Sequence, residues 1–582
     1  MPLDVAPADL VTRGHTPFAV AMAAAAVTIS RATGSADVEF GITASTKDHP
    51  DVADVVGYYL NTLPMQFEVH GGDRFGDLVG AASSTITDSI EYRSYPFADI
   101  VRDARAEGLV VPDVSCMLAY EQLAPATFPD GTAEHRILAS GTAVADVTLF
   151  VQERPDRVQL GLEYRGAVIG RRDAERLFEL FAAVLVDGAT APDRPAFELT
   201  RHAVTDDAVG ATLAAPQTSA LEQIVRRAAT SPSAIGVVDS TGSTLDYAQL
   251  VTAAVQVADR IVTTLGHPAR RVGVAVGRCT DLPVALLGAQ LAGGAYVPLD
   301  PAAPPGRLEM IAAGADLDVL LVAGGGSPFA GTAEVTTIDI TEPMPEAIGD
   351  ADPIARALAQ VSALDLDAPA YVIFTSGSTG TPRGVEVTHR NLASSNDARI
   401  VHYGRAPERF LVTSSIGFDS SIVGLFWPLT TGGAIVLPAD DEVGDVDRLG
   451  RLIDEASVTH LLMVPSLYRA LLERSADRLG GLDTAIVAGE ACPMSLVLQH
   501  HRALPAVELV NEYGPTEASV WSTVHRLDAG DDRVRIGRPI PGTTLRTVDD
   551  DLLPTAHGVA GELLISSPGV VGGYLRDGRG GE

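Results

Sequence analysis

Residues 370–389 have the sequence Ala-Tyr-Val-Ile-Phe-Thr-Ser-Gly-Ser-Thr-Gly-Thr-Pro-Arg-Gly-Val-Glu-Val-Thr-His. The apolar residues 371–374 predict a short β-strand, and residues 375–384 predict a loop rich in glycine and hydroxyl groups. Glycines let several main-chain N–H groups converge on one anion, and the hydroxyl groups add further donors. The stretch therefore predicts a phosphate-binding loop, to which Arg383 would bring a cation.

Composition alone leaves an ordinary Ser/Thr/Gly-rich loop as an alternative. The order Thr-Ser-Gly-Ser-Thr-Gly-x-Pro-Arg-Gly, however, resembles the signature of the adenylate-forming superfamily, which includes acyl-CoA synthetases, luciferases and the adenylation domains of nonribosomal peptide synthetases. The chain departs from this pattern at Arg383, where the family usually has lysine. The resemblance implies catalytic roles for Thr375 and Arg383. It also implies that one set of residues binds the nucleotide, namely Thr375, Ser376, Gly377, Ser378, Thr379 and Gly380.

A second motif lies at residues 511–517, where Asn-Glu-Tyr-Gly-Pro-Thr-Glu matches the family's Asn-x-Tyr-Gly-Pro-Thr-Glu. A Tyr-Gly-Pro sequence alone would predict only a turn. The resemblance implies that Tyr513 stacks on adenine, that Thr516 contacts the phosphates, and that Glu517 binds Mg²⁺ through a carboxylate oxygen. Thr516 and Glu517 are therefore predicted to be catalytic. The nucleotide contacts implied for this motif are Asn511, Glu512, Tyr513, Gly514 and Thr516.

The region around these motifs alternates strand-like and helix-like segments. Residues 272–276 predict a buried strand, and residues 283–291 predict a helix that ends before two glycines. Such alternation indicates an α/β fold with a parallel sheet covered by helices on both faces. Six ordered matches to superfamily core motifs span residues 245–575, and they imply the large N-terminal α/β core of an adenylate-forming enzyme.

Asp419 decides which acid the resemblance implies. It precedes an apolar helical pattern, so it could be only an N-cap. In relatives that activate amino acids, the matching aspartate pairs with the substrate's α-ammonium group, whereas relatives that activate fatty or aryl acids usually lack it. A buried carboxylate without a cationic partner is costly, which favours an amino-acid substrate.

The family's pocket positions can be transferred to this chain one by one. Most are apolar, which favours a small or medium aliphatic or cyclic side chain. Glu512 disturbs that interpretation, because it could pair with a basic side chain or face solvent, so the amino acid stays open. The predicted substrate-binding residues are Asp419, Ser420, Val423, Leu462, Ile486, Ala488, Glu512, Val520 and Trp521.

The first third of the chain resembles a different family, the condensation domains of nonribosomal peptide synthetases. Residues 56–64 (Val-Gly-Tyr-Tyr-Leu-Asn-Thr-Leu-Pro), 92–97 (Tyr-Arg-Ser-Tyr-Pro-Phe) and 112–115 (Pro-Asp-Val-Ser) are similar to three of its motifs in order. An unrelated α+β lobe is the alternative. The resemblance implies the C-terminal lobe of a chloramphenicol-acetyltransferase-like α+β fold. The family's His-His-x-x-x-Asp sequence is missing, so we expect no peptide-bond formation by this lobe alone.

These motifs and a length of 582 residues predict three parts. Residues 1–188 are the condensation lobe, residues 189–216 are a linker rich in Ala, Thr, Pro and Asp, and residues 217–582 are the adenylation core. The resemblance implies that a C-terminal subdomain would follow. We therefore expect a segment of a larger synthetase, or a fragmentary product, that binds nucleotide but adenylates slowly.

The chain has a formal net charge of −33, which argues against nucleic-acid or anionic-membrane partners. Its three cysteines show no disulfide or zinc spacing, and the run at 18–29 predicts a buried helix rather than a membrane span, so a cytoplasmic location is expected. The resemblance implies ATP and Mg²⁺ as cofactors. It also implies an amino-acid substrate and peptidyl carrier domains bearing phosphopantetheine, and it leaves an MbtH-like helper protein open.

Two other functions stay open. One is an acyl- or aryl-acid CoA ligase, which the acids that the protein accepts would reveal. The other is a non-catalytic remnant that only docks partner domains, for which absence of ATP binding would be the evidence.

Overall fold

The computed structural model describes residues 2–575 except 4–6, 12, 48–50, 52–54, 124–126, 129–130, 133–140, 201–206, 326–328, 330–334, 343–351, 377–381, 550–551 and 556–558. The chain divides into two compact units. The first comprises Met1–Asp207 and Arg546–Leu564, and the second comprises Ala208–Leu545 and Ile565–Glu582.

Among its described residues, the first unit combines a six-stranded mixed sheet and a two-stranded hairpin with four α-helices. The helices are α1 (Pro17–Thr33), α2 (Phe75–Ile90), α3 (Phe97–Glu107) and α4 (Arg171–Thr190). The strands are β1 (Pro2–Leu3), β2 (Asp37–Ser45), β3 (Leu60–Glu68), β4 (Cys116–Gln122), β5 (Thr127–Phe128), β6 (Gly131–Thr132), β7 (Val147–Glu153) and β8 (Val158–Tyr164). The sheet has the order β1-β8-β7-β4-β2-β3, in which β4 runs parallel to both β2 and β7.

Helix α1 forms the centre of this unit's core. The Thr16 side chain caps its first turn by accepting a hydrogen bond from the Ala19 N–H, and Pro17 occupies the first turn, where a missing N–H costs nothing. Gly34, with a φ of 74°, ends it in the left-handed conformation. Residues 19–27 are fully buried, so the prediction of a buried helix here is confirmed.

The second unit contains ten helices among the residues described. They are α5 (Ala220–Thr230), α6 (Tyr247–Leu265), α7 (Asp281–Leu291), α8 (Pro305–Ala315), α9 (Pro353–Val361), α10 (His389–Tyr403), α11 (Ser420–Thr431), α12 (Val446–Glu455), α13 (Pro465–Ser475) and α14 (Met494–Ala503). None of the helices in the described part of the chain is both long and apolar enough to cross a lipid bilayer.

The strands from residue 208 onward belong mainly to two large sheets. They are β9 (Ala208–Val209), β10 (Ile235–Asp239), β11 (Thr244–Asp246), β12 (Arg271–Ala275), β13 (Ala295–Pro298), β14 (Val319–Val322), β15 (Thr337–Asp339), β16 (Pro369–Ser376), β17 (Pro382–Thr388), β18 (Arg409–Val412), β19 (Ala434–Leu437), β20 (His460–Met463), β21 (Thr484–Val487), β22 (Glu508–Tyr513), β23 (Thr523–Arg526), β24 (Arg538–Pro539), β25 (Thr544–Val548) and β26 (Glu562–Ser566).

The predicted α/β fold is confirmed, but with two sheets where the alternation predicted one. The larger sheet has the order β11-β10-β19-β18-β20-β21-β22-β23-β24 and is parallel from β10 to β22. The smaller sheet has the order β15-β14-β12-β13-β16-β17, in which only β17 is antiparallel to its neighbour. Because parallel strands end at one edge, the loops after β18, β20, β21 and β22 gather there.

One local prediction is wrong at both ends of the segment it covers. Residues 375–384 were expected to form a loop, but β16 continues to Ser376 and β17 begins at Pro382. Thr375 and Arg383 are partners in the antiparallel ladder. The physical reason is that pairing of main-chain N–H and C=O groups extends the hairpin through residues whose composition alone suggests a loop.

The predicted domain limits stay predictions. Helix α4 runs to Thr190, two residues into the predicted linker, and that linker also contains the short 3₁₀ helix Ala196–Thr200 and β9. Arg546–Leu564 lies within the predicted adenylation core, yet it belongs to the first compact unit.

Candidate functional site

A cavity of about 810 Å³ lies at the carboxyl-terminal edge of the larger sheet. Most of its walls come from residues that end or follow β18, β20, β21 and β22, where the parallel strands leave a crevice, and residues 534–536 before β24 add to them. The lining residues are Thr413, Ser414, Ser415, Phe418, Asp419, Ser420, Leu462, Met463, Val464, Leu467, Ala488, Gly489, Glu490, Ala491, Cys492, Asn511, Glu512, Tyr513, Gly514, Val520, Val534, Arg535 and Ile536.

The structure brings most of the predicted substrate-binding residues to this cavity. Six line it, namely Asp419, Ser420, Leu462, Ala488, Glu512 and Val520. The other three, Val423, Ile486 and Trp521, are buried and are not among its lining residues. The predicted adenine-stacking residue Tyr513 lines the same cavity with 42% of its surface exposed, so one space joins the two predicted subsites.

Asp419 immediately precedes α11. It occupies the N-cap position, but its side chain makes no capping hydrogen bond. Instead it accepts a hydrogen bond from the Thr516 side chain. The pKa of Asp419 is raised to about 6, chiefly by burial and also by the nearby Glu517 carboxylate, although hydrogen bonds to the side chain lower it. The cavity wall therefore carries a carboxyl group that a bound cation would help to ionise.

The surroundings of Glu512 match neither of the two alternatives left open by the sequence, which were that it pairs with a basic substrate or that it faces solvent. It lies on β22 and is only 3% exposed, because β22 is a central strand of the sheet. Its carboxylate forms an ion pair with Arg399 over 2.6 Å. The protein itself thus supplies the cation for this carboxylate.

The turn after β22 holds Tyr513 at the cavity by a close approach of two main-chain segments. A Cβ atom on Gly514 would lie 2.5 Å from the Cα of Trp521, so only glycine fits. The Ser522 N–H also donates a hydrogen bond to the Tyr513 carbonyl. Asn511, at the other end of the motif, is buried, and its amide donates to the Arg535 carbonyl over 3.0 Å.

The predicted phosphate loop is only partly described. Gly377, Ser378, Thr379 and Gly380 lie outside the described residues. Thr375 and Ser376 end β16, and Arg383 lies opposite Thr375 with an exposed side chain. The Arg383 guanidinium lies 5.6 Å from the ring centroid of Tyr574, within cation–π range.

Glu517, the predicted Mg²⁺ ligand, lies in the short 3₁₀ helix Thr516–Ala518. Tyr574 Oη donates a hydrogen bond to Glu517 Oε1 over 2.5 Å. The described residues contain no cluster of three or more His, Cys, Asp or Glu side chains that could hold a metal by themselves. A single carboxylate fits Mg²⁺ that is bound mainly through substrate phosphates and water.

Sequence reasoning missed three residues next to this site. Tyr574 was not among the predicted site residues, although it contacts both Glu517 and Arg383. Arg399 and Tyr403 both contact Glu512, and neither was considered. Their spacing of four residues on one helix was the available sign that both could contact the same group, because such residues share a helix face.

Comparison with family models gives two matches along the chain. Residues 224–575 match the model described as AMP-binding enzyme, and residues 12–206 match the model described as Condensation domain. The two matches follow the same order as the two resemblances found in the sequence.

Curated relatives match nearly the whole chain. Phosphinothricin tripeptide synthetase PhsC of Streptomyces viridochromogenes is 31% identical over 585 residues, covering 97% of this chain and 52% of that protein. Tyrocidine synthase 3 of Brevibacillus parabrevis is 28% identical over 593 residues, covering 97% of this chain and 9% of that protein. The chain therefore spans about half the length of PhsC and a small part of the other relative.

Solved structures support the fold. The nonribosomal peptide synthetase FmoA3 in its AMPPNP-bound form superimposes with a TM-score of 0.84 at 23% identity, covering 97% of this chain and 62% of that chain. AB3403, a four-domain nonribosomal peptide synthetase bound to AMP and glycine, gives a TM-score of 0.82 at 22% identity, covering 100% of this chain and 45% of that chain.

Proposed function

Because the chain belongs to the AMP-binding enzyme family, we propose that its second unit activates an amino acid with ATP, giving aminoacyl-AMP and pyrophosphate. We further propose that it acts within a nonribosomal peptide synthetase. In that setting the aminoacyl group would pass to the phosphopantetheine thiol of a peptidyl carrier domain. The observation that carries the proposal is the position of Asp419 and Tyr513 on the walls of one cavity.

Asp419 is the residue that selects an amino acid over other acids. An α-ammonium group beside its carboxylate would offset the burial that raises the pKa of Asp419 to about 6. A fatty or aryl acid offers no such cation and would leave the carboxyl group in an unfavourable environment. The buried carboxyl group of Asp419 therefore favours acids that carry an α-ammonium group, namely amino acids.

The chemical step needs little covalent help from protein. A substrate carboxylate oxygen attacks the α-phosphorus of ATP, and the bond from that phosphorus to the bridging oxygen of pyrophosphate breaks. Arg383 would balance charge on the phosphates, and Tyr513 would present its ring to adenine. Glu517 would hold Mg²⁺, which supplies charge neutralisation when bound. Because Thr516 donates a hydrogen bond to Asp419, it links the substrate subsite to this motif.

The test is pyrophosphate exchange into ATP across a panel of amino acids, fatty acids and aryl acids, with the 582-residue chain. Calorimetry with stable aminoacyl-sulfamoyl-adenosine mimics gives a second readout that does not require turnover. We expect exchange or binding with at least one amino acid and loss of it in Asp419→Asn. Response to fatty or aryl acids alone would indicate an acyl- or aryl-acid ligase, and absence of any nucleotide binding would indicate a docking protein. Addition of an MbtH-like protein tests whether that partner is required.

A further inference from the structure

The ion pair between Arg399 and Glu512 is fully enclosed. Arg399 lies on α10 and Glu512 on β22, and each side chain is 2% exposed. The contact joins Arg399 Nη1 and Glu512 Oε1 over 2.6 Å. A pair so well removed from water interacts strongly, since little solvent screens it.

Aromatic side chains surround this pair. The Arg399 guanidinium lies 4.1 Å from the ring centroid of Trp521 and 5.9 Å from that of Trp427. Tyr403, one helical turn after Arg399, donates its hydroxyl hydrogen to the same Glu512 oxygen over 2.6 Å. The cation is therefore held both by a carboxylate and by π-faces, which fixes its position.

The pair is also incomplete. Within the described part of the chain, Glu512 Oε2 and Arg399 Nη2 are buried and have no hydrogen-bond partner. Glu512 Oε1 thus accepts two hydrogen bonds, while Oε2 accepts none from the described residues. Such an arrangement leaves charge balanced but hydrogen bonding unsatisfied, and it makes the pair sensitive to loss of either member.

Glu512 is at the same time part of the cavity wall. Two other charged residues besides Asp419 line the cavity, and both are exposed: Glu490 accepts hydrogen bonds from Ser466, and Arg535 pairs with Asp532. The cavity lining also includes apolar side chains, among them Leu462, Ala488 and Val520.

A buried carboxylate without a partner would select a cationic side chain, but this carboxylate already has its cation. A basic side chain that reaches Glu512 would have to leave water without meeting an unbalanced negative charge there. An uncharged side chain meets apolar walls and a neutralised pair, and it does not have to lose the hydration of a charge.

We propose that Arg399 is a specificity-determining residue which, by neutralising Glu512, restricts the cavity to amino acids with uncharged side chains. This inference rests on the proposed amino-acid activation. Arg399 acts through Glu512 and is therefore a positioning residue. The substrate class follows from the charge balance of the pair and not from Glu512 alone.

The experiment measures charge preference with matched adenylate mimics. The sulfamoyl-adenosine mimics of lysine and of 2-aminoheptanoic acid differ only by an ammonium group in place of a methyl group. For the unaltered chain we expect the uncharged mimic to bind at least tenfold more tightly. In Arg399→Met, the affinity for the uncharged mimic divided by that for the lysine mimic should fall by at least tenfold. The reason is that a basic ligand can then neutralise Glu512. The double variant R399M/E512Q should restore the preference for the uncharged mimic.

Glu512→Gln provides the opposite test and covers the case in which Arg399→Met does not fold. It leaves a cation without its carboxylate, so the mimic of 2-aminoadipic acid should gain at least tenfold relative to the uncharged mimic. Arg409→Met is the matched control, since Arg409 lies at the opposite, amino-terminal end of β18 and should leave all ratios unchanged.

A preference of the unaltered chain for the lysine mimic would overturn the proposal, as would ratios that do not move in the folded single variants. Failure of the proposed function has a different outcome, namely that no aminoacyl mimic binds better than AMP. Tighter binding of the lysine mimic than of the uncharged mimic would thus contradict the specificity inference while leaving amino-acid activation in place.

Discussion

The hydroxyl group of Tyr574 donates a hydrogen bond to Glu517 Oε1 over 2.5 Å. The Leu575 N–H donates to the Gly384 carbonyl over 2.7 Å, so this segment is tied to β17. The Tyr574 ring also lies near Arg383. One side chain therefore contacts both the predicted metal ligand and the predicted phosphate clamp.

Tyr574→Phe removes this hydrogen bond and keeps the ring. Outer hydrogen bonds orient ligand carboxylates, and their loss typically weakens metal binding by about 10-fold or more. We expect the Mg²⁺ concentration for half-maximal ATP binding to rise by about 10-fold, while AMP binding without metal is unchanged. Calorimetric titrations at several Mg²⁺ concentrations measure this, and an unchanged Mg²⁺ requirement would exclude an orienting role for Tyr574.

Gly514→Ala tests the close approach that positions Tyr513. The new Cβ would lie 2.5 Å from the Trp521 Cα and 2.7 Å from the Ser522 nitrogen, so the main chain must move. We expect a loss of about 1–3 kcal/mol in the free energy of unfolding, together with weaker AMP binding. Gly444→Ala is the control, because Gly444 is exposed and a Cβ there meets nothing within 4 Å. Equal effects of the two substitutions would contradict the steric argument.

Local sequence patterns predicted α1, α7 and β12, because buried apolar segments are encoded within a few residues. The caps of α1 at Thr16 and Gly34 are equally local. The patterns failed at Thr375 and Arg383, where pairing across the hairpin outweighed a loop-like composition. They could not give the partner of Glu512 either, since Arg399 lies 113 positions away and only folding brings the two together.

The resemblance was informative about which residues are near the cavity and less informative about their surroundings. Asp419 and Ala488 line it, whereas Val423 is buried away from it. The family positions carry residue identities, but exposure to the cavity depends on local backbone geometry. The left-handed conformations of Ser519 and Val520 are such a detail, and no feature of their residue types indicates it.

Asp419→Asn should stabilise the free protein at pH 8. The pKa of Asp419 is raised from 3.8 to about 6 by burial, so the folded state holds this proton more tightly than the unfolded state. Stability from the protonated form is therefore present at low pH and is lost as pH rises through 6, at a cost of about 2–3 kcal/mol above that pH. We expect a higher unfolding midpoint for the variant at pH 8 and a smaller difference near pH 5. A midpoint at or below that of the unaltered chain at pH 8 would contradict the burial of this charge.

The raised pKa of Asp419 also predicts how amino-acid binding depends on pH. An ammonium group pairs with the ionised carboxylate, so affinity should be constant above pH 7 and should fall below pH 6, approaching tenfold per pH unit. Binding of adenosine alone, which carries no phosphate, should lack this dependence, and Asp419→Asn should bind amino acid weakly at every pH. Calorimetry between pH 5 and 8 provides the measurement, and a flat profile for the unaltered chain would remove Asp419 from the ammonium site.

Val520 provides a test in which the usual order of two substitutions should be reversed. Its φ is 86°, a conformation that is unfavourable for a β-branched residue, and it follows Ser519 at a φ of 56°. Alanine is normally more stable than glycine in folded chains, but at a positive φ glycine relieves strain that alanine keeps. We therefore expect Val520→Gly to be more stable than Val520→Ala by about 1 kcal/mol, although it removes more side chain. Val423 on α11 is the control, because it is buried in a helix, where alanine should be the more stable replacement.

The same two Val520 variants shorten a side chain that lines the cavity, and so they enlarge the cavity. In each variant, relative affinity should shift toward amino acids with larger side chains. Urea unfolding and binding of adenylate mimics of increasing size measure the two effects, and a more stable Val520→Ala would show that the left-handed backbone carries no strain.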